Sequence, residues 1–170
     1  MKKVICLLIC LCVIFPITIG IVSKANAEVD MSNKGTIFIN NSELNTVDTV
    51  FISDNQMFIP LRTVLEALGS TVIWERSTGN AYFDFDGVVY VCTFNAFPQR
   101  ANAILICKVI NINSVNNADY IQLHPMSADG TYRAINGRTY LNQQTGQRLF
   151  EALGCKVEID LIKNRLSVSY

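Results

Sequence analysis

The sequence predicts an α+β fold in which an antiparallel sheet packs against short helices, built from two repeated strand–helix–hairpin units. A seven-residue pattern, Glu-Ala-Leu-Gly-x-x-Val, occurs at residues 66–72 and again at residues 151–157. In each copy apolar residues at helical spacing precede the glycine, and alternating apolar residues follow it. A recurrence of this kind indicates an internal repeat, with units at about residues 36–94 and 103–170.

The first helix is predicted directly after Pro60, which suits a first helical position because its missing N–H is not needed there. An apolar stripe with i, i+3, i+4, i+7 spacing follows, formed by Leu61, Val64, Leu65 and Leu68. Gly69 is expected to end the helix, since the residue beyond the last turn often has a positive φ. A helix this short is unstable alone, so we expect it to pack on a sheet.

Strands are predicted on both sides of this helix from alternating apolar and polar residues. In the first half they lie at residues 36–39, 49–52, 57–59, 72–75, 80–85 and 88–94. In the second half they lie at residues 103–112, 120–123, 131–134, 157–160 and 165–170. The dipeptides Asp86-Gly87, Asp129-Gly130 and Asn136-Gly137 are typical of tight turns.

The second helix is expected to have its apolar face at Leu149, Phe150 and Leu153 and to end at Gly154. Residues 138–141 are expected to lead into it. In the hairpin that follows, Asn164 takes the place that Gly79 has in the first unit. Asparagine is one of the few residues that tolerate a left-handed conformation, so both positions are expected to have a positive φ.

The amino terminus has the features of a signal peptide. Lys2 and Lys3 precede an apolar run over residues 4–22, and Ala25-Asn26-Ala27 provides a small-x-small cleavage site before Glu28. The alternative is an uncleaved anchor, because the run approaches the ~20 residues that span a bilayer. We therefore expect a signal peptide at residues 1–27, a flexible lead-in at 28–35, one domain at 36–170, and a secreted or cell-surface location.

Removal of residues 1–27 would take three lysines and no acidic residue from a chain of net charge +0, leaving a net charge of −3. This charge argues against nucleic acid or an anionic membrane as a partner. Three cysteines would remain, Cys92, Cys107 and Cys155. An odd number argues against a disulfide framework. One bridge between Cys92 and Cys107, or free buried thiols, both fit the sequence.

Two stretches resemble the copper amine oxidase N-terminal-like domain, also called the stalk domain. The first is Ile59-Pro60-Leu61-Arg62 followed by residues 66–75, and the second is Asn136–Leu141 followed by residues 151–157. The resemblance covers roughly residues 36–170. It implies an antiparallel sheet curved against helices. It also implies a secreted or cell-surface protein of a Gram-positive bacterium, where such domains often occur without any oxidase.

Amine oxidation in that enzyme class needs a separate catalytic domain with three histidine ligands for copper and a tyrosine-derived quinone. This chain has one histidine, His124, and Tyr120 is not in an Asn-Tyr-Asp/Glu setting. A single histidine cannot build a copper site by itself. Asp84-Phe85-Asp86-Gly87 is similar to the start of a calcium loop, but the remaining ligands are missing, which favours a hairpin turn. No cofactor, metal site or enzyme activity is therefore predicted.

The function predicted from these features is a non-catalytic extracellular or cell-wall-associated module. It would bind wall polymer, another surface protein or a second copy of itself. The alternative is a secreted hydrolase that acts on cell-wall material through an unrecognised site. A contiguous exposed aromatic patch would favour binding, and a deep polar pocket would favour an enzyme.

Candidate residues for a ligand or partner surface are Arg62, Tyr82 and Tyr90. Arg62 could bind an anion, or it could pair with Glu66 four residues on. Both tyrosines belong to an aromatic set, with Trp74, Phe83 and Phe85, that could form a carbohydrate platform. Alternation along the strand assigns Phe83 and Phe85 to the core and Tyr82 to the other face.

We predict that the exported protein begins at Glu28, because signal peptidase recognises the small residues Ala25 and Ala27. Intact-mass analysis of secreted material tests this. Secreted or membrane-held protein that retains residues 1–27 would instead identify the apolar run as an anchor.

Overall fold

The computed structural model describes residues 33–94, 104–109 and 132–170, together with the backbone of residues 120–124. The predicted signal peptide, most of the lead-in and the Asp129-Gly130 turn lie outside the described residues. The helices there are α1 (Leu61–Ala67) and α2 (Gln143–Ala152). The strands are β1 (Thr36–Ile39), β2 (Ser42–Glu43), β3 (Phe51–Ser53), β4 (Gln56–Pro60), β5 (Val72–Glu75), β6 (Asn80–Phe85), β7 (Val88–Phe94), β8 (Ile104–Val109), β9 (Tyr120–His124), β10 (Tyr132–Ile135), β11 (Arg138–Asn142), β12 (Lys156–Asp160) and β13 (Arg165–Ser169).

The predicted α+β architecture of one curved sheet and repeated strand–helix–hairpin units is wrong. The described part is mostly strand, with two short helices and three sheets. The strand orders are β12-β13-β1-β2, β10-β11-β4-β3 and β5-β6-β7-β8-β9. The hairpin after α1 extends through β7 to β9, whereas the hairpin after α2 pairs with β1. Alternation assigns the two faces of a strand but does not identify its distant neighbour, and this is why the prediction failed.

The central pairing joins the strands that precede the two helices. β4 and β11 are antiparallel, with Ile59 opposite Leu141 and Pro60 opposite Tyr140. Residues 138–141, expected to lead into the second helix, instead form most of β11. The helix α2 begins after Asn142, whose side-chain Oδ1 accepts a hydrogen bond from the Thr145 N–H at 2.8 Å. This contact caps one of the free amides of the first turn.

Both copies of the repeated pattern form the same helix end. Gly69 has φ +94° and Gly154 has φ +86°, which confirms the predicted left-handed positions. The Ser70 N–H donates to the Leu65 carbonyl at 3.0 Å, and the Cys155 N–H donates to the Phe150 carbonyl at 2.9 Å. The glycine N–H groups also donate, each to the carbonyl of the glutamate three residues earlier. The two bonds at each end form the Schellman arrangement, which satisfies the last carbonyls of a helix.

The two ends of the described chain meet in one sheet, because β1 lies parallel to β13 with Ile37 beside Leu166. Order begins before Thr36: Lys34 bridges to Phe51, and the Gly35 N–H donates to the Val50 carbonyl at 2.8 Å. Any side chain at Gly35 would collide with the carbonyl oxygen of Asn164. The predicted left-handed turn at Asn164 is confirmed by its φ of +48°.

One hydrophobic core takes side chains from all three sheets and both helices. The predicted core residues Phe83 and Phe85 are confirmed as buried. Helix α2 approaches β4 closely at Gly146, where an added Cβ would lie 2.8 Å from Ile59 Cδ1. Since Ile59 is fully buried, it would have to repack around any larger residue. Glycine within a helix lowers its stability by up to ~1 kcal/mol relative to alanine. The close contact with Ile59 explains why a glycine nevertheless occupies this position.

The three cysteines are free and buried. Across the β7–β8 ladder Cys92 lies opposite Ile106, and Cys107 lies opposite Val91. Cys92 and Cys107 therefore point to opposite faces of the sheet and cannot form a bridge while the ladder is intact. Burial raises the pKa of all three thiols, that of Cys155 to about 11, so they pack as small apolar groups.

Neither helix of the described part is long and apolar enough to cross a membrane.

We predict that Gly154→Val unfolds the whole domain in a single, down-shifted transition, because the strands of the two halves pair with one another. Forcing a β-branched residue to a positive φ costs on the order of 1–2 kcal/mol or more. Fluorescence of Trp74, which lies in a different sheet, should change together with far-UV dichroism on heating.

Gly154→Asn is the matched control, since asparagine tolerates the left-handed conformation and an added Cβ there would have an ordinary 3.7 Å contact with the Tyr170 ring. It should melt closer to the parent protein. Two separate transitions in Gly154→Val, with Trp74 unaffected by the first, would contradict the shared core.

Candidate binding groove

A cavity of about 920 Å³ lies where the edge of the β5–β9 sheet meets the start of α1 and the β10–β11 hairpin. We call it the groove. Three aromatic side chains, three arginines, one carboxylate and several threonines are among its lining residues within the described part. The lining is Asp48, Pro60, Leu61, Arg62, Thr63, Val72, Trp74, Arg76, Thr78, Gly79, Ala81, Phe94, Tyr132, Ala134, Gly137, Arg138 and Thr139.

Trp74, Phe94 and Tyr132 form an aromatic shelf in the groove. The ring centroids of Trp74 and Phe94 are 5.3 Å apart, and those of Phe94 and Tyr132 are 4.9 Å apart in an edge-to-face arrangement. Trp74 lies opposite Ala81 and so belongs to the core face of its sheet. β5 is the edge strand of the sheet, so the residues that cover the core face do not extend over it completely. Trp74 therefore remains 44% exposed.

The three arginines of the groove differ in how firmly they are held. Arg138 forms an ion pair with Asp48 at 2.5 Å. Arg62 donates a long hydrogen bond of 3.4 Å to the Val72 carbonyl and lies 3.7 Å from Glu66. The predicted Arg62–Glu66 pair is thus confirmed, although the Arg62 side chain remains 57% exposed. For Arg76, in the turn after β5, no partner is found among the described residues.

The structure does not bring the three predicted surface residues together. Arg62 lines the groove. Tyr82 is paired with Ile73 and lies on the opposite face of the sheet from Trp74. Tyr90 is only 7% exposed and stacks on Phe83 with ring centroids 5.0 Å apart, so it belongs to the core.

The sequence reasoning missed several groove residues: Arg76, Phe94, Tyr132 and Arg138. No local pattern links Phe94 to Tyr132, because their contact depends on how the sheets meet. A weaker signal was present for the arginines. Arg76 begins the turn that ends at Gly79, and Arg138 directly follows Gly137; charged residues at turns are typically exposed.

The described lining of the groove contains few acidic groups. Asp48 is the one carboxylate among its described lining residues, and it is already paired with Arg138. A glycosidase-type site, by comparison, places two carboxyl groups beside the bond that it cleaves. The described residues also contain no cluster of three or more histidine, cysteine or acidic residues that could hold a metal. The groove lining contains aromatic rings that can stack, threonine hydroxyls that can form hydrogen bonds, and positively charged arginines.

The Asp84–Gly87 segment is a tight hairpin turn, as the sequence predicted. Asp86 has φ +50° and Gly87 has φ +72°, which is the backbone of a two-residue turn between β6 and β7. The Asp84 carboxylate accepts a hydrogen bond from the Thr71 N–H at 2.8 Å. This aspartate thus ties the hairpin to the segment that follows α1.

In a comparison with protein families, residues 21–83 and 38–168 match the copper amine oxidase N-terminal domain. This domain is the non-catalytic stalk of those enzymes. No curated protein and no solved structure matches the chain.

We predict that the exported protein does not hold stoichiometric copper and does not oxidise amines. His124 is the single histidine of the sequence, and copper sites of that enzyme class need several. Metal analysis after copper loading and dialysis, with an assay for peroxide release from amines, tests this. Tight copper binding that His124→Ala abolishes would prove the prediction wrong.

Proposed function

The chain belongs to the copper amine oxidase N-terminal domain family, and from this premise we propose that it is a secreted, non-catalytic module that binds cell-wall polymer at the surface of a Gram-positive bacterium. Three features support the proposal. The first 27 residues have the composition of a signal peptide. The family is that of a stalk domain without catalytic residues. The groove combines aromatic and cationic side chains without a free acid–base pair.

The observation that carries the proposal is the half-exposed Trp74 ring on the aromatic shelf. Burying large apolar surface is favourable, so an aromatic ring left open in a groove offers a stacking platform to a ligand. The remaining lining supplies the few polar groups that orient a ligand: Thr63, Thr78 and Thr139 hydroxyls and the arginines. At about 920 Å³, the groove lies near the upper end of the ~300–1,000 Å³ typical of ligand sites.

A protein partner or a second copy of this chain is less well supported as the occupant. Protein interfaces are marked by a contiguous apolar patch. Ile73 and Trp74 are adjacent exposed residues, but they point to opposite faces of β5. Ile162, which is 98% exposed, lies in the turn between β12 and β13, two strands of a different sheet. Ile73 and Trp74 therefore do not form one apolar face of β5.

The alternative of a secreted hydrolase finds no support in the groove, because Asp48 has no second carboxylate beside it among the lining residues. A glycoside hydrolase needs two carboxyl groups on either side of the bond it cleaves.

We predict that Trp74→Ala lowers retention of the exported protein on purified cell walls by roughly tenfold or more, which corresponds to ~1.4 kcal/mol of binding free energy. The physical reason is the loss of the stacking ring. Co-sedimentation with washed cell walls measures the effect, and far-UV dichroism checks that the variant is folded.

Tyr82→Ala is the matched control, because it removes an aromatic ring of the same sheet from the face that does not border the groove. It should bind as the parent does. Equal retention of the parent and Trp74→Ala would overturn the assignment of the groove. A larger loss in Tyr82→Ala would move the site to the other face.

A further inference from the structure

The lining of the groove is positively charged, whereas the chain as a whole has no net charge. Its described lining contains three arginines and one carboxylate, that of Asp48. The chain as a whole carries as many acidic as basic residues. Positive charge is therefore concentrated at the aromatic shelf and is not a general property of the surface. Such local concentration raises the affinity of a site for anions.

All three cationic residues of the groove are arginines, and this indicates which kind of anion the groove could bind. A guanidinium group is planar and donates paired hydrogen bonds that match a carboxylate or a phosphate. Arg138 is engaged with Asp48, and because the two opposite charges largely cancel, Arg138 is not available to a ligand. Arg76 has no partner among the described residues, and the Arg62–Glu66 pair is solvent-exposed and 3.7 Å long. Exposed pairs of this kind contribute little to stability, so Arg62 can turn to a ligand at little cost.

The two available arginines lie on either side of the stacking ring. The Arg62 side chain reaches the carbonyl of Val72 at the start of β5, and Arg76 follows the last residue of that strand. Trp74 lies between them. At ~3.3 Å per residue the four-residue strand separates its ends by roughly 10–13 Å. A cation, an aromatic ring and a second cation therefore follow one another along the edge of the sheet.

We infer that the groove binds an anionic sugar polymer, with an uncharged ring face stacked on Trp74 and its charged groups held by Arg76 and Arg62. The inference rests on the proposed function and specifies the polymer class. A polymer with charges at regular intervals can reach both arginines at once, which a single small anion cannot. Carboxylates of uronic acids and phosphodiesters that join sugar units share this chemistry.

The test uses the single tryptophan of the chain as a reporter of binding. The exported protein is titrated with three soluble polymers of similar length: oligogalacturonate, a glucose polymer joined by phosphodiesters, and neutral dextran. We expect saturable changes in Trp74 fluorescence with a charged polymer, affinity that falls as salt is added, and at least tenfold weaker binding of dextran. Binding of only one charged polymer identifies the charged group as carboxylate or phosphodiester.

Arg76→Gln should weaken binding of the charged polymer by about tenfold and reduce its salt dependence, since one ionic contact is lost. Arg148→Gln is the control, because Arg148 is exposed on α2 and is not part of the groove lining. It removes the same charge and should have little effect. Unchanged binding by Arg76→Gln, or equal loss in both variants, would overturn the inference.

The two proposals fail in different ways. Equal affinity for dextran and the charged polymers, or no response to any of them while the protein still sediments with cell walls, would reject the anionic polymer and leave the wall-binding function standing. No response to any polymer and no retention on cell walls would reject both.

Discussion

The structure depends on the antiparallel pairing of β4 with β11. Each strand leads directly into a helix, so this pairing determines where α1 and α2 begin and makes them leave the sheet from neighbouring strands. Ile59 and Leu141, which face one another across the ladder, are both fully buried. The close approach of Gly146 to Ile59 then holds α2 against β4. A change in the β4–β11 register would move both helices and the groove together.

The other face of this sheet is stabilised separately. Phe51, Phe58 and Tyr140 form a small cluster, with Phe51 stacked on Phe58 at 5.1 Å between ring centroids. The Arg133 guanidinium lies 4.2 Å from the centre of the Phe58 ring and also hydrogen-bonds to Asp54, where it lowers the pKa of that carboxyl. Cation–π contacts of this kind contribute about 0.5–1 kcal/mol or more. With both faces packed, the sheet is a firm support for the groove residues of the β10–β11 hairpin.

The groove lies at a place where regular packing stops. The core face of the β5–β9 sheet is covered at Cys92 and Ile106, which are fully buried, but at the edge strand this cover ends. Trp74 is therefore a core-face residue without complete burial. Its contact with Phe94, and the contact of Phe94 with Tyr132, join the edge of this sheet to β10. The three rings thus stabilise the junction of two sheets, while Trp74 stays partly exposed in the groove.

The sequence by itself determined the features that depend on a few neighbouring residues. These are the ends of both helices at Gly69 and Gly154, the tight turn at Asp86-Gly87, the inward face of β6 and the Arg62–Glu66 pair. Only the tertiary structure decided that β1 pairs with β13, that β4 pairs with β11, and that Trp74, Phe94 and Tyr132 share a groove. The reason is physical. The period of apolar residues sets which face of a strand is buried, whereas its partner depends on competition among distant strands with similar patterns.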